Sequence, residues 1–173
     1  MNFNLEKSIL ILERTPAVLE QLLSGLPDEW VMNNEGSDTW SPYDIVGHLI
    51  HGERTDWIAR TKIILNENHK TFPVFKRTAM FEESKGKTLG DLLAEFKAVR
   101  AENLKTLRSL NLTDKELDKT GIHPKFGEVT LRQLLATWTI HDLSHLAQIA
   151  RVMAKQYKQE IGPWIEYMRL VQG

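Results

Sequence analysis

Two histidines separated by one helical turn lie in the longest stretch of helically spaced apolar residues in the chain. They are His141 and His145, within the run 139–148. On a helix, residues four apart lie on the same face, so both imidazoles can reach one metal ion. The apolar stripe of this stretch includes Trp138 and Ile149. Both histidines therefore fall on the side that we expect to be buried.

Two buried imidazoles on one stripe are difficult to explain by packing alone. Each buried ring has two nitrogens that need partners, and two unpaired rings would cost a few kcal/mol of burial energy. A metal ion bound to one nitrogen of each ring removes that cost. A lone histidine in a core is usually structural, whereas this pair favours a metal site.

A third ligand must come from another helix, and His48 is the best candidate. It follows the apolar stripe of Ile45 and Leu49 on a helix that begins after Ser41. His51 is the alternative, but periodicity places it nearer to the polar side of that helix. We therefore predict a mononuclear site formed by His48, His141 and His145.

Other polar residues near this site have two possible roles. Asp142 and Gln148 adjoin the predicted ligands and could orient an imidazole, although Asp142 could equally be a surface carboxylate. For Glu53 a structural role is favoured. We expect His69 and His123, which lie in predicted loops, to be surface histidines. Three tryptophans could line a pocket but are more often core residues in a bundle: Trp40, Trp57 and Trp138.

Three neutral imidazoles suit zinc, nickel, copper or iron(II). A catalytic zinc has three protein ligands and an open position, where the pKa of a bound water is lowered towards neutrality. Because no carboxylate is among the predicted ligands, the site would keep its full positive charge. We expect it to attract an anionic ligand such as a thiolate or a carboxylate.

Two other metal motifs are rejected. The segment that contains the histidine pair resembles the HExxH motif of zinc proteases, with Asp142 in place of glutamate and Glu166 as a possible third ligand. Aspartate is one carbon shorter than the usual base, and the strands of a protease cleft are not predicted. A di-iron bundle requires two Glu-x-x-His pairs, and none occurs around His48, His141 or His145.

Composition excludes several functions. The 173 residues have the length of one domain, which we predict to span 1–173. The absence of cysteine excludes disulfides, thiolate metal sites and a cysteine nucleophile. A formal charge of −1 without a basic face disfavours nucleic acid as a partner. We expect no signal peptide, no membrane span and a cytoplasmic location.

The elements that would position the histidines are helices. Apolar spacing predicts four long helices, over 5–23 with a kink or division at Pro16, 42–65, 89–110 and 131–157. Ser41, Thr88 and Thr130 are the expected N-caps. The segment 66–87 reads as a long irregular connection, 113–116 as a short helical turn and 119–129 as a loop or small hairpin. This pattern predicts an all-α up-down bundle with at most a minor strand pair.

The residues 40–42, 46–49 and 141–149, written WSP, VGHL and HDLSHLAQI, resemble those of the DinB-like (YfiT-like) superfamily. The likeness covers nearly the whole chain in length and helix order. It implies a four-helix bundle in up-down-down-up order. It also implies a divalent metal, often zinc or nickel, on His48, His141 and His145, and frequently a homodimer.

The resemblance implies an enzymatic role without fixing the reaction. Characterised relatives include S-transferases that use bacillithiol or related low-molecular-weight thiols, and mycothiol-dependent isomerases. Others are regarded as metal-dependent hydrolases without a known substrate. We expect a metal-dependent S-transferase or hydrolase acting on a small molecule. The alternatives are a non-catalytic metal-binding or stress-response protein and a purely structural bundle.

Overall fold

The computed structural model describes residues 2–66 and 68–172. Its helices are α1 (Leu5–Leu12), α2 (Thr15–Leu23), α3 (Asp28–Val31), α4 (Pro42–Thr55), α5 (Trp57–Leu65), α6 (Ala79–Glu83), α7 (Leu89–Ser109), α8 (Asp114–Leu117) and α9 (Leu131–Lys155). An antiparallel hairpin of β1 (Thr120–His123) and β2 (Gly127–Thr130) lies between α8 and α9. Two 3₁₀ turns follow α9, at Gly162–Tyr167 and Arg169–Val171. The helical fold with a minor hairpin is confirmed.

The long helices begin where the sequence predicts. Ser41, Thr88 and Thr130 each cap a helix, and in each case the third helical residue returns a side-chain hydrogen bond to the cap backbone. This reciprocal arrangement satisfies N–H groups that a helix leaves without internal partners. Pro42 occupies the first turn of α4, where its missing N–H costs nothing.

Two predicted helices are interrupted. The first divides into α1 and α2, and Pro16 lies in the first turn of α2. The prediction of one helix over 42–65 is wrong, because α4 ends at Thr55 and α5 begins at Trp57. At Asp56, between them, the backbone has a ψ of −76°, well away from the helical value of about −42°. The break turns α5 towards the hairpin, which it contacts through β1.

The core lies between four helical segments formed by α1–α2, α4–α5, α7 and α9. Helix α7 packs against α2 and α4, while α9 packs against α1, α4 and α5. One apolar cluster is centred on Trp57, Leu104 and Trp138. A second is centred on Ile45 and Phe96 with residues of α2. These two clusters hold α4 and α9, the helices that carry the predicted ligands, side by side.

The connection 66–87 is more ordered than predicted. It contains α6, which packs against α4. The amide of Phe72 donates to the carbonyl of Ile122 at 2.9 Å, and the amide of Ile122 donates to the carbonyl of Lys70 at 2.6 Å. These bonds form a parallel bridge between Thr71 and Ile122. The connection is thereby fixed to the hairpin and covers one side of α4–α5.

A buried ion network connects the segments. The guanidinium of Arg100 in α7 donates to both carboxylate oxygens of Asp142 in α9, at 2.7 and 3.0 Å. It also donates to Glu53 in α4 at 2.8 Å and to the carbonyl of Leu12 in α1 at 2.7 Å. All three charged side chains are at most 2% exposed. Each partner lies on a different helix, so one guanidinium fixes four helices relative to one another.

In the described part of the chain, residues 2–66 and 68–172, no helix has both the length and the apolar character that a membrane span requires.

We predict that Arg100→Met destabilises the protein by about 3–5 kcal/mol, because it leaves two buried carboxylates without their counter-charge. Urea denaturation of the metal-free protein measures the loss. The triple variant Arg100→Met/Glu53→Gln/Asp142→Asn is the control, and it should lose less because no charge is left unpaired. A single variant within about 1 kcal/mol of wild type would contradict the role given to this network.

Candidate metal centre

The structure brings the three predicted ligands together. His48 comes from the middle of α4, and His141 and His145 come from successive turns of α9. The Nε2 atom of His141 lies 3.1 Å from Nε2 of His48 and 3.1 Å from Nε2 of His145. One ligand atom from each residue lies within 4.8 Å of the others. Three imidazoles from two helices therefore converge on one point.

The spacing of the nitrogens suits a small divalent cation. Two nitrogens that each bind tetrahedral zinc at about 2.0–2.1 Å lie about 3.3 Å apart. The observed separations of 3.1 Å are close to this value. The three side chains thus need little rearrangement to bind a metal through Nε2.

The proton positions also fit metal binding. The Nδ1 atom of His145 lies 2.8 Å from Oε1 of Gln148. An amide oxygen can only accept, so this nitrogen carries the proton and Nε2 presents its lone pair. Gln148 thereby orients His145, which is the role considered for it from the sequence. Fixing the tautomer through the second ring nitrogen is the usual arrangement around metal-binding histidines.

Burial keeps the cluster uncharged. It lowers the pKa of His48 from an ordinary 6.5 to about 3 and that of His141 to about 2, and the nearby His145 adds to both shifts. Burial also lowers the pKa of His145, although Gln148 and Asp142 act in the opposite direction. Neutral imidazoles are the form that binds metals. When all three Nε2 atoms are unprotonated, their lone pairs face one another and repel unless a cation lies between them.

Two ring nitrogens lack partners among the described residues. Nδ1 of His48 and Nδ1 of His141 are buried and make no hydrogen bond. Unpaired buried donors of this kind are costly, so the cluster is not explained as a self-satisfied polar core. The donor set, its spacing and its neutrality all fit a divalent cation, and ligation itself stays a prediction.

The remaining histidines lie elsewhere. The alternative ligand His51 is buried rather than on the polar side, because α6 covers it, and its Nδ1 lies 3.0 Å from both carboxylate oxygens of Glu83. It is not part of the three-histidine group. His69 is exposed as expected. His123 is partly exposed and also lines a cavity.

The other candidate residues either form buried ion pairs that hold the helices or pack around the histidines. Asp142 is fully buried and paired with Arg100, and is neither a surface carboxylate nor an imidazole partner. Glu53 has the structural role that was favoured and also accepts from Nε1 of Trp138 at 2.8 Å. Trp40 and Trp57 are both buried and close to the centre, with ring centroids 4.7 Å from His48 and 5.1 Å from His141 respectively.

Two residues of the connection 66–87 lie near the centre and were not predicted from the sequence. The ring of Phe75 lies 5.5 Å from that of His48. The guanidinium of Arg77 lies 4.6 Å from the ring centroid of Trp40, and its charge lowers the pKa of both His48 and His145. No periodicity marks either residue, because neither belongs to a helix.

Comparison with known protein families identifies the superfamily of this chain. A model of the DinB superfamily matches residues 11–149, which include all three histidines. The chain belongs to the DinB superfamily. None of the curated proteins matches this member of the superfamily.

A solved structure shares the fold. YfiT from Bacillus subtilis superposes with a TM-score of 0.73 at 22% sequence identity, over 91% of this chain and 87% of that one. It is described as a probable metal-dependent hydrolase with an unusual four-helix bundle topology. The likeness confirms the four-helix bundle predicted for this member of the superfamily.

We predict that protein purified without a nickel column carries one divalent metal ion per chain. Replacing His48, His141 or His145 singly by glutamine should remove it, because two imidazoles and a water bind far more weakly than three imidazoles. Elemental analysis with a protein assay measures the ratio. His51→Gln is the matched control and should retain the metal. Full metal content in His48→Gln, or its loss only in His51→Gln, would contradict the assignment.

We also predict that the metal-free protein loses stability as the pH falls below about 6.5. Between that pH and about 3, the unfolded chain binds protons that the buried His48 and His141 do not bind. The free energy of unfolding should then fall by about 1.4 kcal/mol per pH unit for each imidazole. Asp56 acts oppositely, because burial raises its pKa to about 6. Urea denaturation between about pH 6.5 and 5 measures the net slope.

His48→Gln removes the contribution of His48 and leaves Asp56 in place. Its stability should therefore depend less steeply on pH than that of wild type over the same interval. Parallel slopes for the two proteins would show that His48 is protonated in the folded state, against the burial seen here.

Proposed function

We propose that this protein is a divalent-metal-dependent enzyme that uses a low-molecular-weight thiol as its nucleophile, as an S-transferase. The observation that carries the proposal is the convergence of three neutral imidazoles on one point without a carboxylate ligand. Three neutral ligands leave the charge of a divalent cation uncompensated and a coordination position open. Such a centre favours an anionic fourth ligand.

The chain itself supplies no sulfur nucleophile, because it contains no cysteine. A thiol substrate must therefore come from solution. When bound, a divalent cation supplies a Lewis acid that lowers the pKa of a coordinated thiol or water. The residues of the protein then have two tasks, to hold the cation and to orient the incoming molecule.

Arg77 supports binding of an anionic substrate. It is exposed and stacks on Trp40, whose ring contacts that of His48. Its positive charge acts on the imidazoles of His48 and His145. A low-molecular-weight thiol that carries a carboxylate could pair with this guanidinium if its sulfur bound a cation held by the three histidines. Trp40 provides the apolar surface that holds the Arg77 side chain in place.

Hydrolysis is the second candidate. The described fold matches that of YfiT, which is characterised as a probable metal-dependent hydrolase. The same open position can take water instead of a thiol, with a pKa lowered towards neutrality. A non-catalytic metal-binding or stress-response protein with a structural or vestigial site is the third, and a lack of any turnover would favour it.

Three properties of this proposal stay predictions. Zinc or nickel is the expected metal, because three imidazoles suit both. A homodimer and a cytoplasmic location are expected from the sequence analysis.

The test measures conjugation of thiols to monochlorobimane by the metal-loaded protein. We predict metal-dependent turnover with a carboxylate-bearing thiol, and a KM for that thiol about tenfold higher in Arg77→Met, because a charge-assisted hydrogen bond is lost. Lys76→Met removes a neighbouring exposed charge and is the matched control, with a KM like that of wild type.

Each outcome assigns the reaction. Metal-dependent esterase or amidase activity without thiol conjugation would overturn the S-transferase in favour of the hydrolase. If protein that is shown to hold its metal gives no turnover in either assay, the result would support the non-catalytic role. Equal effects of Arg77→Met and Lys76→Met on KM would contradict the specific role of Arg77.

A further inference from the structure

A cavity of about 310 Å³ lies between α5, α9, the hairpin and the connection 66–87. Its volume is at the lower end of the range for small-molecule sites. Four aromatic side chains make up much of its wall: Trp57, Phe72, Phe75 and Phe126. Such a wall favours a flat apolar group about the size of one aromatic ring.

The cavity adjoins the candidate metal centre. His141 belongs both to its wall and to the three-histidine group. Phe75 also belongs to the wall, and its ring lies near those of His48 and His51. The cavity and the convergence point therefore share the side chain of His141.

One buried ion pair is part of the cavity wall. Nη2 of Arg60 lies 2.9 Å from Oδ1 of Asp56, and both side chains are mostly buried. Arg60 is only 6% exposed, yet its Nε has no hydrogen-bond partner among the described residues. The wall thus contains a guanidinium whose donors are not all used by the fold and whose charge is already neutralised by Asp56.

His123 adds a second donor to the wall. Its Nδ1 accepts from the backbone amides of Lys125 and Phe126, at 3.1 and 3.2 Å. The ring proton is therefore on Nε2, which is left to donate. The ring stacks on Phe126 with centroids 4.5 Å apart, and its pKa is lowered by burial and by the charge of Arg60. Arg60 and His123 thus add two polar side chains to a largely apolar cavity.

We propose that this cavity binds the electrophilic substrate of the metal centre, and that this substrate is an uncharged aromatic compound with a carbonyl-type acceptor. The aromatic walls select the ring, and the guanidinium of Arg60 and the imidazole of His123 select the acceptor. An anion is disfavoured because Asp56 already neutralises Arg60 and the rest of the wall is largely apolar. The assignment of the cavity as a substrate site rests on the proposed function, whereas its preference for such a ligand does not.

Three small probes of matched size separate the contributions of the aromatic ring, the carbonyl acceptor and the charge. Ethylbenzene carries the ring alone, acetophenone adds a carbonyl, and benzoate adds a charge. Binding to the zinc-loaded protein is measured by ligand-observed NMR titration at about pH 8, where Asp56 is ionised. We expect acetophenone to bind about tenfold more tightly than ethylbenzene, through a hydrogen bond to a charged donor, and benzoate to bind least tightly.

Variants of the ion pair make the test specific. Arg60→Met should reduce acetophenone binding to the level of ethylbenzene and leave ethylbenzene unaffected. Asp56→Asn frees the charge of Arg60, so benzoate should bind about tenfold more tightly than to wild type. Asp56→Asn also keeps the test decisive if Arg60→Met does not fold. Thr137→Trp, which fills the cavity from α9, should weaken the binding of all three probes.

Three results would overturn the proposal: no binding of any probe, equal binding of acetophenone and ethylbenzene, or binding that Thr137→Trp leaves intact. Tighter binding of benzoate than of acetophenone to wild type would overturn the uncharged substrate.

A last measurement separates this inference from the proposed function. Replacing zinc by paramagnetic cobalt(II) should broaden the NMR signals of bound acetophenone, because the cavity adjoins the centre. Binding without broadening, in protein shown to hold cobalt, would place the probe away from the centre and overturn the substrate site. Unchanged acetophenone binding in metal-free His48→Gln, together with no enzymatic turnover in wild type, would remove the proposed function and leave the ligand preference of the cavity standing.

Discussion

The buried guanidinium of Arg100 is the interaction on which the arrangement of the four helical segments depends. Its donors reach α1, α4 and α9 from α7. Asn103 and Trp138 donate to the remaining positions on Glu53, so the carboxylates are well satisfied despite their burial. A buried charge tolerates little displacement of its partners, because any unpaired charge would cost several kcal/mol. Apolar packing alone would allow the helices to slide or rotate at a smaller cost.

This network fixes the helices at the level where the imidazoles meet. Asp142 follows His141 directly, and Glu53 lies five residues after His48. With both carboxylates held by Arg100, the rotation of α4 and α9 about their own axes is set, and the imidazoles converge on each other. The charges of the network act on the imidazoles in opposite directions, because Asp142 raises the pKa of His145 whereas Arg100 lowers that of His141. The main effect of the network is therefore to position the imidazoles.

The part of the site that the sequence predicts is the part that depends on helical periodicity. His141 and His145 are on one face because they are four apart, and His48 follows the stripe of Ile45 and Leu49. Arg100 was missed, although Phe96 and Leu104 flank it at the same four-residue spacing. This spacing relative to two apolar residues is the one local sign that Arg100 is buried. Its partners lie on other helices, so no pattern within one helix could reveal the ion network.

Residues whose position depends on non-helical segments could not be predicted. His51 is buried because α6 folds over α4 and brings Glu83 to its ring. His123 lines a cavity because the connection 66–87 pairs with the hairpin through Ile122. Both contacts join segments that are far apart in the chain and that show no helical or strand periodicity in their apolar residues. The break at Asp56, which turns α5 towards the hairpin, also depends on tertiary contacts.

Under the proposed function, the charges around the centre suit two different substrates. Arg77, exposed next to Trp40, adds positive charge near His48 and His145. In the cavity that His141 also lines, Arg60 and Asp56 neutralise each other beside aromatic side chains, which would favour an uncharged molecule. An anionic nucleophile and a neutral electrophile would then approach the same cation from different directions. Each side would exclude the other molecule by its electrostatics, so productive pairing would not require a moving lid.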